Sequence, residues 1–392
     1  MNKFIENRKH KEDKPVIAIC YDFDKTLSPT DMQAQGFIQS VGYDIEPFWD
    51  ESNALAENND MDQNLAYMYI MKEKAEGHVL FTRKQLIEYG ASVELFTGAE
   101  EWFDRINKYG EAQDVIVEHY IISSGLKEMI EGTSIANQFE KIYASSYYFN
   151  EKGVAVWPAQ VVNYTNKTQF LFRIEKGTLN INDPGVNDSF APDEIRVPFR
   201  NMIYIGDSDT DIPCMKLVTM NGGHAIAVYD PKKEDKTKAY KMMREKRIRF
   251  YAPADYSEGK ELDTLVKAII DKTAKSELLE NIHYNQQHEQ KNNDKEQGEE
   301  KRERIELILA LNNSHSYAST HAIVAKLQEI NAWEKSEREN LFRIAVENRQ
   351  VRGVLNDIDI KIFFKSLLDS AKVFDENAKT ILEILNEQGD NK

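Results

Sequence analysis

Two carboxylates, Asp22 and Asp24, stand one residue apart at the end of a short apolar run, residues 16–20. A run of that length suits a buried strand and is too short for a helix. Burying a carboxylate at a strand end is costly unless it is paired or metal-bound, and two so close repel each other. Such a pair points to chemistry that uses the charge, with a divalent cation as the natural remedy. Leu27 and Pro29 then turn the chain away from the strand.

Three further polar clusters have a similar setting. Residues 119–122 read as a second buried strand and end in Ser123, Ser124 and Gly125, ahead of a helix carrying Leu126, Met129 and Ile130. A strand, a small-residue turn and a helix start present backbone N–H groups to an anion. Lys167 opens a later helix through Phe170, Leu171 and Ile174, with Arg173 and Lys176 behind it. Residues 202–205 read as a third strand, followed by Gly206, Asp207, Ser208, Asp209, Thr210 and Asp211; residues 225–228 read as a fourth. Strands that alternate with helices predict an α/β domain around a parallel, Rossmann-like sheet. Ligands in such sheets sit beyond the carboxyl ends of the strands, where these clusters fall.

The motif Asp22, Phe23, Asp24, Lys25, Thr26, with Ser123, Lys167 and Asp207 to Asp211 in order behind it, resembles the haloacid dehalogenase-like superfamily. The resemblance covers about residues 15–256 and all four family motifs. It implies a Mg²⁺-dependent phosphatase in which Asp22 is the nucleophile and forms an aspartyl-phosphate. Asp24 is then the acid/base, protonating the leaving oxygen and later activating water. Ser123, with the N–H groups of Ser124 and Gly125, and Lys167 would hold the phosphate. Asp22, Asp207 and the Asp24 carbonyl would hold the metal, with Asp211 joining directly or through water. Asp209 falls elsewhere by spacing and is expected in solvent. Ser124 stands where many relatives have Gly. Dehalogenases of the superfamily lack an acid at the position of Asp24, so dehalogenation is disfavoured; phosphatase and phosphotransferase share the site. The helical segment between the first two motifs looks like a cap of the first type, as in phosphoserine-phosphatase-like members. Met32, Gln33, Trp49 and Tyr67 are its candidate substrate contacts.

The elements that must position these groups divide the 392 residues as follows. Residues 1–14 form a polar tail. Residues 15–30 and 97–280 form the α/β core, and 31–96 the helical cap, where Tyr67, Met68, Tyr69 and Met71 read as an apolar cluster. Residues 142–150 and 154–162 read as a hairpin, and 177–198 as a long surface loop. Residues 285–304 form a charged linker or exposed helix extension. Residues 305–392 regain apolar residues at helical spacing and form an additional all-helical domain, with Ser319 or Thr320 and Ser336 as caps.

Net charge is −16 with 41% hydrophobic residues. That balance supports a real core and disfavours nucleic acid and anionic membranes as partners. No secretory signal or apolar run of about 20 residues is present, and Cys20 and Cys214 read as buried thiols. A soluble cytoplasmic protein is expected. None of the scattered histidines has zinc-ligand spacing. The expected partner is a small phosphorylated substrate. Two alternatives accompany this reading: a nucleic-acid end-processing phosphatase, and a phosphatase-fold regulatory protein that binds a protein partner or itself through residues 305–392.

Overall fold

The computed structural model describes residues 11–296, 298–330, 333–370 and 375–386. The chain divides into two compact units, Met1–Asn281 and Ile282–Lys392.

The first unit is built on seven strands: β1 (Val16–Tyr21), β2 (Ile116–Leu126), β3 (Lys141–Phe149), β4 (Ala155–Gln160), β5 (Met202–Gly206), β6 (His224–Tyr229) and β7 (Phe250–Pro253). Their order across the sheet is β4-β3-β2-β1-β5-β6-β7. All neighbours are parallel except β3 and β4, which form the antiparallel hairpin. The α/β architecture expected from the sequence holds. Every residue of β1 is buried, because both faces of a parallel sheet are covered. Ile17, Ile19 and Tyr21 enter one apolar layer, while Val16, Ala18 and Cys20 enter the other. Tyr21 pairs with Ile121 on one side and Ile205 on the other. The strand order therefore reverses at β1, and the segments leaving β1, β2 and β5 emerge together at one edge.

Between β1 and β2 lie α1 (Phe37–Ser40), α2 (Ile45–Asn58), α3 (Gln63–Ala75), α4 (Arg83–Gly90) and α5 (Ala99–Ala112). Asp62 caps α3 by accepting from Asn64 N–H and Leu65 N–H, and Thr82 caps α4. Phe37, Phe48, Tyr67, Met68 and Met71 are buried in the same apolar layer as Ile17 and Ile19. Tyr69 does not join them: it is 54% exposed. Two residues on from Tyr67, it is carried roughly 200° around the helix.

The remaining helices of this unit are α6 (Lys127–Gly132), α7 (Lys167–Glu175), α8 (Ile212–Met220), α9 (Thr237–Arg244) and α10, which starts at Glu261 and runs through the unit boundary as Glu261–Glu296. Residues 285–296 thus continue a helix. The loop 177–198 is wrapped around two cations. Arg173 donates to the carbonyls of Thr178, Asn180, Ile181 and Asp183, and Lys176 to those of Val186 and Asp188. Arg196, buried, pairs with Glu118 and with Glu12. Residue 12 of the polar tail is therefore tied to the core; residues 1–10 lie outside the described residues.

The second unit contains α11 (Glu299–Asn312), α12 (Tyr317–Leu327), α13 (Lys335–Glu347), α14 (Arg349–Gly353), α15 (Ile358–Asp369) and α16 (Glu376–Asn386). Leu311, Val324, Leu341, Ile360, Phe364 and Ile381 centre its own core. The caps differ from the sequence reading: Ser316 caps α12 and Glu334 precedes α13. Among the described residues, no helix is long and apolar enough to cross a membrane.

Candidate active site

Asp22 follows β1 directly, and its N–H donates to the Ile205 carbonyl of β5 at 2.9 Å. The strand end beneath it is fixed by a buried chain of hydrogen bonds. Trp102 Nε1 donates to the Tyr21 hydroxyl (2.8 Å), which in turn meets His119 Nδ1 (3.0 Å). Burial lowers the His119 pKa to about 3, so the ring is neutral. Its Nδ1 then accepts from Tyr21 and its Nε2–H donates to Asn107 Oδ1. This histidine is a support of the sheet.

Lys167, at the first position of α7, is fully buried. Its Nζ lies 3.2 Å from Asp22 Oδ1 and 2.7 Å from Asp211 Oδ1. Arg173 and Lys176, the other cations of that helix region, are spent on the 177–198 loop. Asp207 completes the group, since ligand oxygens of Asp22, Asp207 and Asp211 lie within 4.8 Å of one another. Among the described residues this is the one such cluster of three metal-capable side chains. Burial first, then the Asp211 charge, pushes the Asp22 carboxyl up to about 6, against the pull of Lys167. Burial, then Asp211 and Asp22, pushes Asp207 up to about 8. Asp22 and Asp211 are buried and share the Lys167 ammonium, with half-buried Asp207 beside them, and three carboxyl groups to one cation suit a divalent cation with oxygen ligands. Asp209 points away, 58% exposed and 3.5 Å from Lys241.

Asp24 has two differently placed oxygens. Oδ1 accepts from Met32 N–H at 2.8 Å, so it caps the short turn Met32–Ala34. Oδ2 lies over Gly125, where an added Cβ would come within 2.9 Å of it. Burial, then Asp31 and Asp22, holds the Asp24 carboxyl well above the usual range. Gly125 therefore serves close approach between the segments after β1 and β2.

Ser123 is buried in β2, which runs on through Gly125 to Leu126 rather than ending before the serine. Gly125 N–H donates to Ser123 Oγ at 3.1 Å, which leaves the hydroxyl proton for another acceptor and commits the Gly125 N–H within the loop. Ser124 is gripped from the cap: the Tyr67 hydroxyl of α3 donates to its carbonyl at 2.7 Å. Met32 and Gln33 are buried, and Trp49 sits with its ring edge toward Tyr67, centroids 5.9 Å apart. Lys127, beyond the loop, pairs with Glu131.

Sequence reasoning missed the second layer. Tyr204 of β5 donates from its hydroxyl to Asp211 Oδ1 at 2.9 Å. Ser208 donates to Asp211 Oδ2 from its N–H (3.3 Å) and its hydroxyl (3.1 Å). Gly206 is required beside them, because a Cβ there would lie 2.5 Å from Asp211 Oδ2. The tyrosine left no polar signature, since in a buried strand it reads as core.

The model of the haloacid dehalogenase-like hydrolases matches residues 19–216. The chain belongs to that family. A Borreliella burgdorferi protein described as uncharacterized is 27% identical over 279 residues, spanning 64% of this chain and 95% of the relative. Among solved structures, the chain is similar to a haloacid dehalogenase family hydrolase from Salmonella enterica serovar Typhi (17% identity, 66% of this chain and 73% of that one, TM-score 0.42). It is also similar to a probable phosphoserine phosphatase from Vibrio cholerae (14% identity, 69% of each chain, TM-score 0.43). Asp22, Lys167, Asp207 and Asp211 come together at the carboxyl edge of β1 and β5, and Asp24 reaches Gly125 near the end of β2.

Proposed function

We propose that this hydrolase is a Mg²⁺-dependent phosphatase that cleaves the phosphomonoester of a small metabolite through an aspartyl-phosphate on Asp22. The observation that carries the reading is the buried Lys167 ammonium between Asp22 and Asp211, with the Asp207 carboxylate in the same cluster. A fixed cation beside an in-line carboxylate is what phosphoryl transfer requires. Asp22, Asp207 and the Asp24 carbonyl would hold Mg²⁺, with Asp211 behind them as the partner of Lys167. When bound, the ion supplies neutralisation of phosphate-oxygen charge.

The protein's own groups then divide the work. Lys167 and the Ser123 hydroxyl hold phosphate oxygens, with the Ser124 N–H beside them. An Asp22 oxygen attacks phosphorus as the bond to the leaving oxygen breaks, and Asp24 gives that oxygen its proton. Asp24 next takes a proton from water as the water oxygen attacks phosphorus. The bond from phosphorus to Asp22 breaks, inorganic phosphate leaves, and both carboxyl groups are restored. The cap, through Tyr67, closes over the phosphate loop and selects the leaving group. The buried, unpaired thiols Cys20 and Cys214 suit a reducing compartment, and the proposal places the enzyme in the cytoplasm.

Asp22→Asn should abolish turnover of an aryl phosphate with Mg²⁺ present while leaving the melting temperature at or above that of the unaltered chain. Retained turnover would overturn the nucleophile assignment.

A further inference from the structure

We infer that the Tyr204 hydroxyl is a positioning group for the phosphate-binding ammonium, acting on Lys167 through Asp211; the inference rests on the phosphatase reading. A carboxylate offers about four lone-pair directions. At Asp211 protein donors occupy all four: Lys167 and Tyr204 on Oδ1, and the N–H and hydroxyl of Ser208 on Oδ2. Asp211 in this arrangement is committed to the protein and serves as the anchor of Lys167. Asp22 and Asp207 are left as the carboxylates open to a cation.

The tyrosine is what makes that anchor moderate. Lys167 has three donors; one goes to Asp211, one to Asp22, and the third remains for a phosphate oxygen. A second donor on Asp211 Oδ1 shares the negative charge of that oxygen, so the ammonium is held between its two acids rather than drawn wholly onto Asp211. The hydroxyl is otherwise a burden at this position. Tyr204 is fully buried in β5, where phenylalanine would fill the same space without a polar group to desolvate. Its hydrogen bond to Asp211 is the interaction that offsets this cost.

The test uses the full chain and Tyr204→Phe, with Ser208→Ala as a second variant at the half-exposed edge of the network. Mg²⁺ affinity is measured by calorimetry. Inorganic phosphate affinity is measured the same way with Mg²⁺ saturating, so neither readout needs turnover. Loss of a hydrogen bond in a charged network should weaken phosphate about five- to tenfold in Tyr204→Phe, with Mg²⁺ affinity and melting temperature nearly unchanged. Ser208→Ala should weaken phosphate in the same direction by less, and it carries the test if Tyr204→Phe does not fold. Unchanged phosphate affinity in the variants overturns the inference. So does a Mg²⁺ affinity that falls as far as phosphate affinity, because Asp211 would then be ligating the metal. Absence of phosphate binding by the unaltered chain would overturn the phosphatase reading itself.

Discussion

At the residue scale the site separates two carboxyls that the sequence sets one residue apart. Asp22 faces Lys167 and the acidic cluster, whereas Asp24 is turned toward Met32 N–H and Gly125. In the proposed mechanism Asp24, held off the Lys167 cluster, serves the leaving oxygen. Asp24→Asn should therefore lower kcat by about 10²- to 10⁴-fold for an alkyl phosphate. The loss should be much smaller for p-nitrophenyl phosphate, whose phenolate leaves without a proton. Steady-state kinetics on both substrates checks this, and equal losses would remove Asp24 from the acid role. Asp22 and Asp207 could be singled out because a polar residue just past a buried strand is conspicuous, Ser123 because it follows an apolar run, and Lys167 because it opens a helix. Tyr204 could not, since an aromatic residue inside a strand carries the same signature whether or not its hydroxyl is used. The hydrogen bond of Gly125 N–H to Ser123 was equally hidden, because it depends on how far β2 continues past the apolar run.

At the element scale α3 touches both segments of the proposed phosphate site, the turn before Lys167 and the Ser124 carbonyl. Asp62 caps α3 and also accepts from Asn163 Nδ2 at 2.7 Å, while Asn64 Nδ2 donates to the Val162 carbonyl at 2.9 Å. Residues 162–166 form the approach to Lys167, so the amino end of α3 steadies that turn. One turn further on, Tyr67 reaches the Ser124 carbonyl. Asp62→Ala removes a cap and a cross-segment hydrogen bond together. It should cost about 1–2 kcal/mol in urea unfolding and raise KM more than it lowers kcat. Asp62→Asn keeps a capping oxygen and should recover most of the stability; if it does not, the carboxylate charge rather than the cap is what matters. Helical spacing made this segment readable as helices. It did not settle which tyrosine faces inward, and Tyr69 fell on the solvent side. The strand β7 escaped notice because four residues, Phe250–Pro253, give too short a pattern to separate from a loop. The polar composition after residue 284 left a linker and an exposed helix extension both open, and α10 continues as the second to Glu296, since an exposed helix needs no apolar stripe.

At the scale of the whole molecule, net charge and unit structure pull in different directions. The chain carries −16 overall, yet its candidate site is organised around a buried cation, so the proposed phosphate recognition would depend on local geometry against an unfavourable general field. All of the candidate site residues, from Asp22 to Asp211, lie in the unit Met1–Asn281. The helical unit contributes none of them and has an apolar core of its own. A chain ending at Asn281 should therefore keep Mg²⁺-dependent turnover of an aryl phosphate within about threefold, as expected for changes with no shared partners. Residues 299–392 alone should show helical circular dichroism and a cooperative thermal transition, because a core of that size can fold independently. Truncated chain that folds but loses turnover would assign the helical unit a part in the reaction. Retained turnover together with an independently folding fragment would instead make that unit a separate module, whose contribution must be sought in what it binds.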